Sequence, residues 1–145
     1  MNYNQNLSEV CAVLGKLDPQ SFTAGTTTVG PIQTNISRRL LAIIKVGTIG
    51  TSVDAKWTAA TTSGGTYTDV TGAAITQITA SSKIALLELK SESVESLLGS
   101  GYQYVKLSLT GVGTNLVDVV VLGAPARYQP NSANNIAAVA STTVV

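Results

Sequence analysis

Histidine is absent from the 145-residue chain. Its absence removes the usual general base at neutral pH, the Ser-His and Cys-His nucleophile pairs, and the commonest metal ligand. The eight acidic residues are Glu9, Asp18, Asp54, Asp69, Glu88, Glu92, Glu95 and Asp118. They are scattered and form no dense acidic loop of the kind that holds calcium. Two of them meeting in space as a glycosidase pair is a weaker reading than exposed or salt-bridged carboxylates. The lone cysteine, Cys11, cannot form an intrachain disulfide; among Val10, Ala12, Val13 and Leu14 it reads as a small buried hydrophobe. No basic run exceeds Arg38-Arg39 and the net charge is +1, which excludes a clustered nucleic-acid footprint. No apolar run approaches the roughly 18 residues of a membrane span, and no cation precedes the first short apolar stretch, so neither a span nor a leader is expected. Asn6-Leu7-Ser8 and Asn35-Ile36-Ser37 match the glycosylation pattern but read as chance. The chain is therefore expected to be no enzyme and to hold neither cofactor nor metal.

Charged residues make up 12% of the chain, against roughly a quarter in an ordinary soluble domain. The surface must instead be built from Thr, Ser, Asn and Gly, and Thr clusters such as Thr26-Thr27-Thr28 suit a pleated, half-buried surface better than a helix. Near-zero net charge gives little self-repulsion and leaves association with other protein surfaces easy.

Short β-like runs recur with turn chemistry between them. Thr26 to Ile36 is interrupted by Gly30-Pro31, which confines it to an edge or a bulge. Arg39 to Val46 carries Leu40-Leu41-Ala42-Ile43-Ile44 without alternation and reads as a strand covered on both faces. From Val53 to Thr61, Val53, Ala55, Trp57 and Ala59 alternate with Asp54, Lys56, Thr58 and Ala60, which marks a half-buried antiparallel strand. Ser63-Gly64-Gly65-Thr66 turns the chain into a partner that begins at Tyr67. Further runs are Ala74 to Thr79, Ile84 to Lys90, Tyr102 to Leu109, and Leu116 to Leu122, the most strand-like of all. Asp118 in the last of these is expected to face solvent or meet a Lys or Arg. Ser91 to Leu98 is the one helical stretch, with Glu92 and Glu95 early and Gly99 at its end. Trp57, Tyr67, Tyr102 and Tyr104 read as core or cross-strand packing, with an aromatic sugar platform as the alternative.

These segments predict an all-β chain. The expected fold is an antiparallel, jelly-roll-like β-sandwich of about eight strands with one short helix and extended terminal arms. The expected divisions are an N-terminal arm over 1–20, closed by Asp18-Pro19, a β-sandwich over 21–123, and a Pro-, Asn- and Ala-rich C-terminal arm over 124–145. Val10 to Leu17 matches a helical face and a strand equally well.

The order of segments matters beyond any one of them. Arg38 to Gly47, Val53 to Lys56, Ala60 to Thr66, Gly72 to Thr79, Gly101 to Lys106, and Val119 to Gly123 through Ala126-Arg127-Tyr128 resemble a family of short tailed-bacteriophage structural proteins, over about residues 18 to 130. The resemblance implies an auxiliary capsid (decoration or cement) protein, assembled in the bacterial host cytoplasm, that binds the outside of the head as a homotrimer or other small homo-oligomer. The implied partners are the major capsid protein and the chain itself. Arg38, Arg39, Arg127, Tyr128 and Pro130 are the candidate assembly contacts. Trp57 stands where that pattern expects a polar residue. Two alternatives are another virion part (a head-fibre base, connector or tail-tube protein) and a carbohydrate-binding β-module.

Overall fold

The computed structural model describes residues 5–127 and 130–144. Eight strands form two antiparallel four-stranded sheets: β1 (Ala12–Phe22), β2 (Gly25–Gln33), β3 (Arg39–Val46), β4 (Ser52–Ala60), β5 (Thr68–Ala74), β6 (Lys83–Lys90), β7 (Tyr104–Val112) and β8 (Asn115–Gly123). One sheet has the order β1-β8-β3-β6 and the other β2-β7-β4-β5. The chain crosses to the opposite sheet at every connection except the β4–β5 turn, and β1 pairs β8, β2 pairs β7, β3 pairs β6 and β4 pairs β5. That is one long hairpin rolled up on itself, the jelly-roll sandwich the sequence predicts.

The core lies between the sheets and follows the period of two. Leu40, Ala42, Ile44 and Val46 of β3, Val53, Ala55, Trp57 and Ala59 of β4, Val105, Leu107 and Leu109 of β7, and Val117, Val119 and Val121 of β8 are all buried. The β1-β8-β3-β6 sheet is tight at one glycine: a Cβ on Gly123 would collide with the Leu14 and Ser37 side chains, so β8 passes there only because it carries none.

Three expectations need correction. The boundary at residue 20 falls inside β1, which runs through Asp18-Pro19 instead of ending there. The proline is accommodated because β1 is an edge strand and its register with β8 slips between Leu17 and Gln20, where no ladder bond needs the missing N–H. Gly30-Pro31 occupies the matching slip in edge strand β2, between Val29 and Ile32, as its sequence predicts. Second, Ala74 to Thr79 is not a strand of its own; beyond β5 it touches β4 through a bridge in which Val53 and Ile78 exchange two backbone hydrogen bonds of 2.9 Å. Third, Cys11 is only half-buried.

Helix α1 (Leu7–Val10) precedes β1, with the Glu9 carboxylate accepting from the Asn6 N–H at 2.9 Å. Helix α2 (Ser91–Leu98) follows β6 and ends at Gly99, whose φ of +103° favours glycine and whose N–H donates to the Glu95 carbonyl. The C-terminal segment lies outside both sheets, as the predicted arm should, yet its own chain holds it. A 3-10 turn over Asn131–Asn134 buries Asn131 completely, and Asn135 and Ile136 bond to Val13 of β1.

Candidate functional site

The outer face of β1-β8-β3-β6 departs from the polar exterior that such a sheet ordinarily shows. Alternation that sends Leu40, Ala42 and Ile44 inward sends Leu41 and Ile43 outward, and the same holds for Ile84 and Leu86 on β6 and for Leu116, Val120 and Leu122 on β8. The register sets these side chains in rows. Ile43 stands between Leu86 and Val120, and Leu41 stands beside Leu122, which stands beside Val13 of β1. Leu86 is 64% exposed and Ile84 65%. No element among the described residues covers the centre of these rows; only the β1 flank is walled, by Val139 and Thr142 of the C-terminal segment across an apolar groove of about 330 Å³ that also touches Cys11 and Leu122.

Ion pairs frame the apolar rows. Arg39 meets Glu88 at 2.7 Å at one end of the strands, Lys45 meets Asp118 at 2.7 Å at the other, and Lys16 pairs with Asp18 on the β1 flank. Asp118 thus takes the cationic partner its sequence position called for. Exposed pairs of this kind add little stability each. An apolar centre inside a polar frame is the anatomy of a protein–protein interface.

The outer face of β2-β7-β4-β5 is of the opposite character. Thr26, Thr28, Thr58, Ser108 and Thr110 share it with a Lys56–Asp69 pair at 2.6 Å and with Lys106, whose ammonium lies 4.1 Å from the centre of the Tyr67 ring. Burial, with a smaller contribution from Tyr104, pushes the Tyr67 phenol above its ordinary 10.0. A spectrophotometric titration is expected to lose, in Tyr67→Phe, a tyrosine that ionises above the ordinary range. Trp57 does not belong to this face. It points into the core at 0% exposure with its Nε1–H donating to the Leu87 carbonyl at 3.4 Å, so a sugar platform has no tryptophan to use.

The predicted contact residues do not gather in one place. Arg39 sits on the apolar face's frame. Arg38 and Arg127 lie at the α2 end of the sandwich, where Ser37 and Ala126 pair; the Arg38 guanidinium is 3.5 Å from Glu92, and Arg127 lines a cleft of about 410 Å³ with Glu92, Glu95 and Gln103. Pro130 is exposed at the start of the 3-10 turn, and Tyr128 lies outside the described residues. The sequence reading missed Leu41, Ile43, Leu86 and Val120. Their signal was the lack of polar alternation, which in β3 reads equally as cover by the chain's own layers on both faces.

Seven of the eight carboxylates are engaged in structural contacts, Glu95 in the cleft being the other. Glu9 caps α1, Asp54 accepts from the Gln77 amide at 2.8 Å, and Asp18, Asp69, Glu88, Glu92 and Asp118 each have a cation. Among the described residues no three of His, Cys, Asp and Glu gather as metal ligands. The sequence matches no known protein-family profile and no curated protein.

Proposed function

We propose that this chain is a structural protein that works by docking onto other protein surfaces, and specifically an auxiliary capsid protein that binds the exterior of a tailed-phage head and stabilises it. The observation that carries the docking role is the uncovered apolar face framed by Arg39–Glu88 and Lys45–Asp118. Burying a leucine or isoleucine side chain that now faces water is worth about 1.5–3 kcal/mol, so several such residues on one sheet reward a partner strongly. The capsid reading rests on the segments that resemble phage structural proteins; most of them fall on β3, β4, β7 and β8, the adjacent framework strands of the jelly roll. The cleft end, with Arg38 and Arg127 beside α2, is a second surface through which a head-bound subunit can be gripped.

Adding the purified chain to empty expanded heads that lack it is expected to give saturable binding across the head lattice in cryo-electron microscopy, and heads that survive higher temperature. Bare heads would sink the capsid reading. Density confined to the tail vertex would move the chain to the connector or tail.

A further inference from the structure

We infer that the free edge of β6 is a strand-addition site, at which an extended, alternately apolar segment of a partner protein lays its backbone antiparallel beside Lys83 to Lys90. Such a site is distinct from the apolar face, because it uses the backbone of β6 before its side chains, and it does not rest on the capsid reading.

Hydrogen-bond parity leaves that edge open. β3 turns its odd-numbered residues, and Gly47 just beyond it, to β8: the Arg39 carbonyl accepts from the Ala124 N–H at 3.0 Å, and the Gly47 N–H donates to the Leu116 carbonyl at 2.9 Å. The even-numbered residues of β3 therefore bond β6, and the Ser91 N–H continues that ladder by donating to the Arg38 carbonyl at 2.9 Å. In this register Lys83, Ala85, Leu87 and Leu89 are turned to β3. Ile84, Leu86 and Glu88 aim both N–H and C=O away from the sheet, and Lys90 its N–H. No turn, loop or cap bond reaches these groups among the described residues. Repeating at every second residue, they are satisfied in full by one kind of partner, another extended backbone.

The other sheet edges are guarded. β1 has Pro19 and two slips in its pairing, and its Val13 is already bonded by the Asn135 side chain and the Ile136 N–H. β2 is broken at Pro31, and β5 by Gly72, at φ +78°, and by a slip against β4. β6 has none of these protections: its eight pairs with β3 run without a slip. Its surroundings also select side chains. On the outer side Ile84 and Leu86 offer apolar neighbours, and Glu88 and Lys90 charged ones; on the inner side a cleft of about 310 Å³ between β5, β6 and α2, lined by Val70, Ala73, Leu89 and Leu97, takes the alternate residues. A second β6 fits poorly. An antiparallel two-fold centred on Leu86 or Leu87 sets Glu88 beside an apolar residue, one centred on Glu88 opposes two carboxylates, and one centred on Ala85 runs Glu88 to Lys90 past the end of the partner strand.

The probe is the peptide acetyl-Glu-Val-Lys-Val-Val-Thr-Val-Thr-amide, which runs antiparallel from Lys90 to Lys83 with glutamate opposite Lys90, lysine opposite Glu88 and valine opposite Leu86 and Ile84. It is expected to bind the full chain with a Kd of about 0.1 mM, the order of a short peptide that is ordered only on binding. At about ten times that concentration, the Ile84, Leu86 and Glu88 amides should exchange with solvent about tenfold more slowly by nuclear magnetic resonance, while Ala85 and Leu87, already bonded to β3, change little. N-methylation of the peptide residues opposite Glu88, Leu86 and Ile84 should weaken binding by at least about tenfold, because those N–H groups face β6; methylation opposite Leu89, Leu87 and Ala85 should leave it unchanged. No saturable binding at ten times the expected Kd, or equal weakening by the two methylation patterns, overturns the inference. So does slow exchange of Ile84, Leu86 and Glu88 in a peptide-free chain of doubled mass, which makes a second copy the occupant. Bare heads would leave this site standing, and its failure would leave the apolar face and the capsid reading as they are.

Discussion

Replacing Trp57 with alanine is expected to lower the unfolding free energy by about 3–5 kcal/mol, the largest effect of any single core truncation in this chain. Trp57 is the largest of the fully buried side chains. It stands on β4 opposite Leu107 of β7, and its indole N–H reaches across the sandwich to the Leu87 carbonyl of β6, so one residue ties the two sheets together. Its neighbours on the same face of β4 are Ala55 and Ala59, which are too small to collapse into the space it leaves. Against a total stability of about 5–15 kcal/mol, the loss is a large fraction. Trp57→Phe keeps much of the buried ring and should cost about 1–2 kcal/mol through the lost volume and hydrogen bond. Urea unfolding followed by far-UV circular dichroism measures both, with the midpoint moving and the slope unchanged. A loss for Trp57→Ala below about 1 kcal/mol would mean that the indole is not the packing centre described. Because Trp57 is the chain's one tryptophan, acrylamide quenching offers an independent check: its fluorescence should be nearly inaccessible in the folded protein.

The same strand shows what the sequence makes legible. Between Val53 and Trp57, β4 alternates because one side meets the core and the other is half open to water, and the burial follows the letters; beyond it Thr58 and Ala60 on the outer side are buried as well. β2 was readable for a related reason, since Gly30-Pro31 admits only an edge or a bulge. β1 was harder. Its Asp18-Pro19 carries the chemistry of a turn, and only the slip in pairing with β8, a partner about a hundred residues away, turns that dipeptide into a tolerated irregularity. Ala74 to Thr79 erred in the opposite direction, having strand composition without a partner along its length.

The docking face was hidden in plain composition. Leu40 to Ile44 looks the same whether its outward residues lie under another layer of the chain or under another molecule, because periodicity reports burial and is silent about who supplies the cover. The jelly roll decides it. With only two sheets, β3 can be covered by its own chain on one side alone, so Leu41 and Ile43 must look outward. By contrast, the charges at Arg38 and Arg127 were visible as letters, but their shared location beside α2 depends on the Ser37–Ala126 bridge, a contact no local pattern encodes.

Changing Asn131 is expected to show that the C-terminal segment belongs to the folded domain. Its amide donates to the Gly123 carbonyl at 2.8 Å and to the Val10 carbonyl, joining the end of β8 to the entry of β1, while the Asn135 side chain accepts from the Val13 N–H at 2.8 Å and the Ile136 N–H donates to the Val13 carbonyl at 2.9 Å. Asn131→Ala leaves two buried carbonyls short of a donor and should cost about 2–3 kcal/mol. Asn131→Asp should cost more, since an ionised carboxylate there faces two carbonyl oxygens and can donate to neither. Burial among acceptors raises that carboxyl's folded pKa above its unfolded value, so the extra penalty should grow as pH rises through the unfolded pKa and fade as pH falls below it. Urea midpoints at pH 4 and pH 7 test the sign. Truncation after Gly123 should destabilise the sandwich by about 3–5 kcal/mol, because it removes the Asn131 bonds to Val10 and Gly123 and the Asn135 and Ile136 bonds to Val13 of β1, together with the pairing of Arg38 with Pro125 and of Arg127 with Ile36. The arm expected from composition alone would have been dispensable for folding and needed only for assembly. A truncated chain with an unchanged urea midpoint would restore that view, and an Asn131→Asp variant as stable as wild type would show that the amide is not buried against those carbonyls.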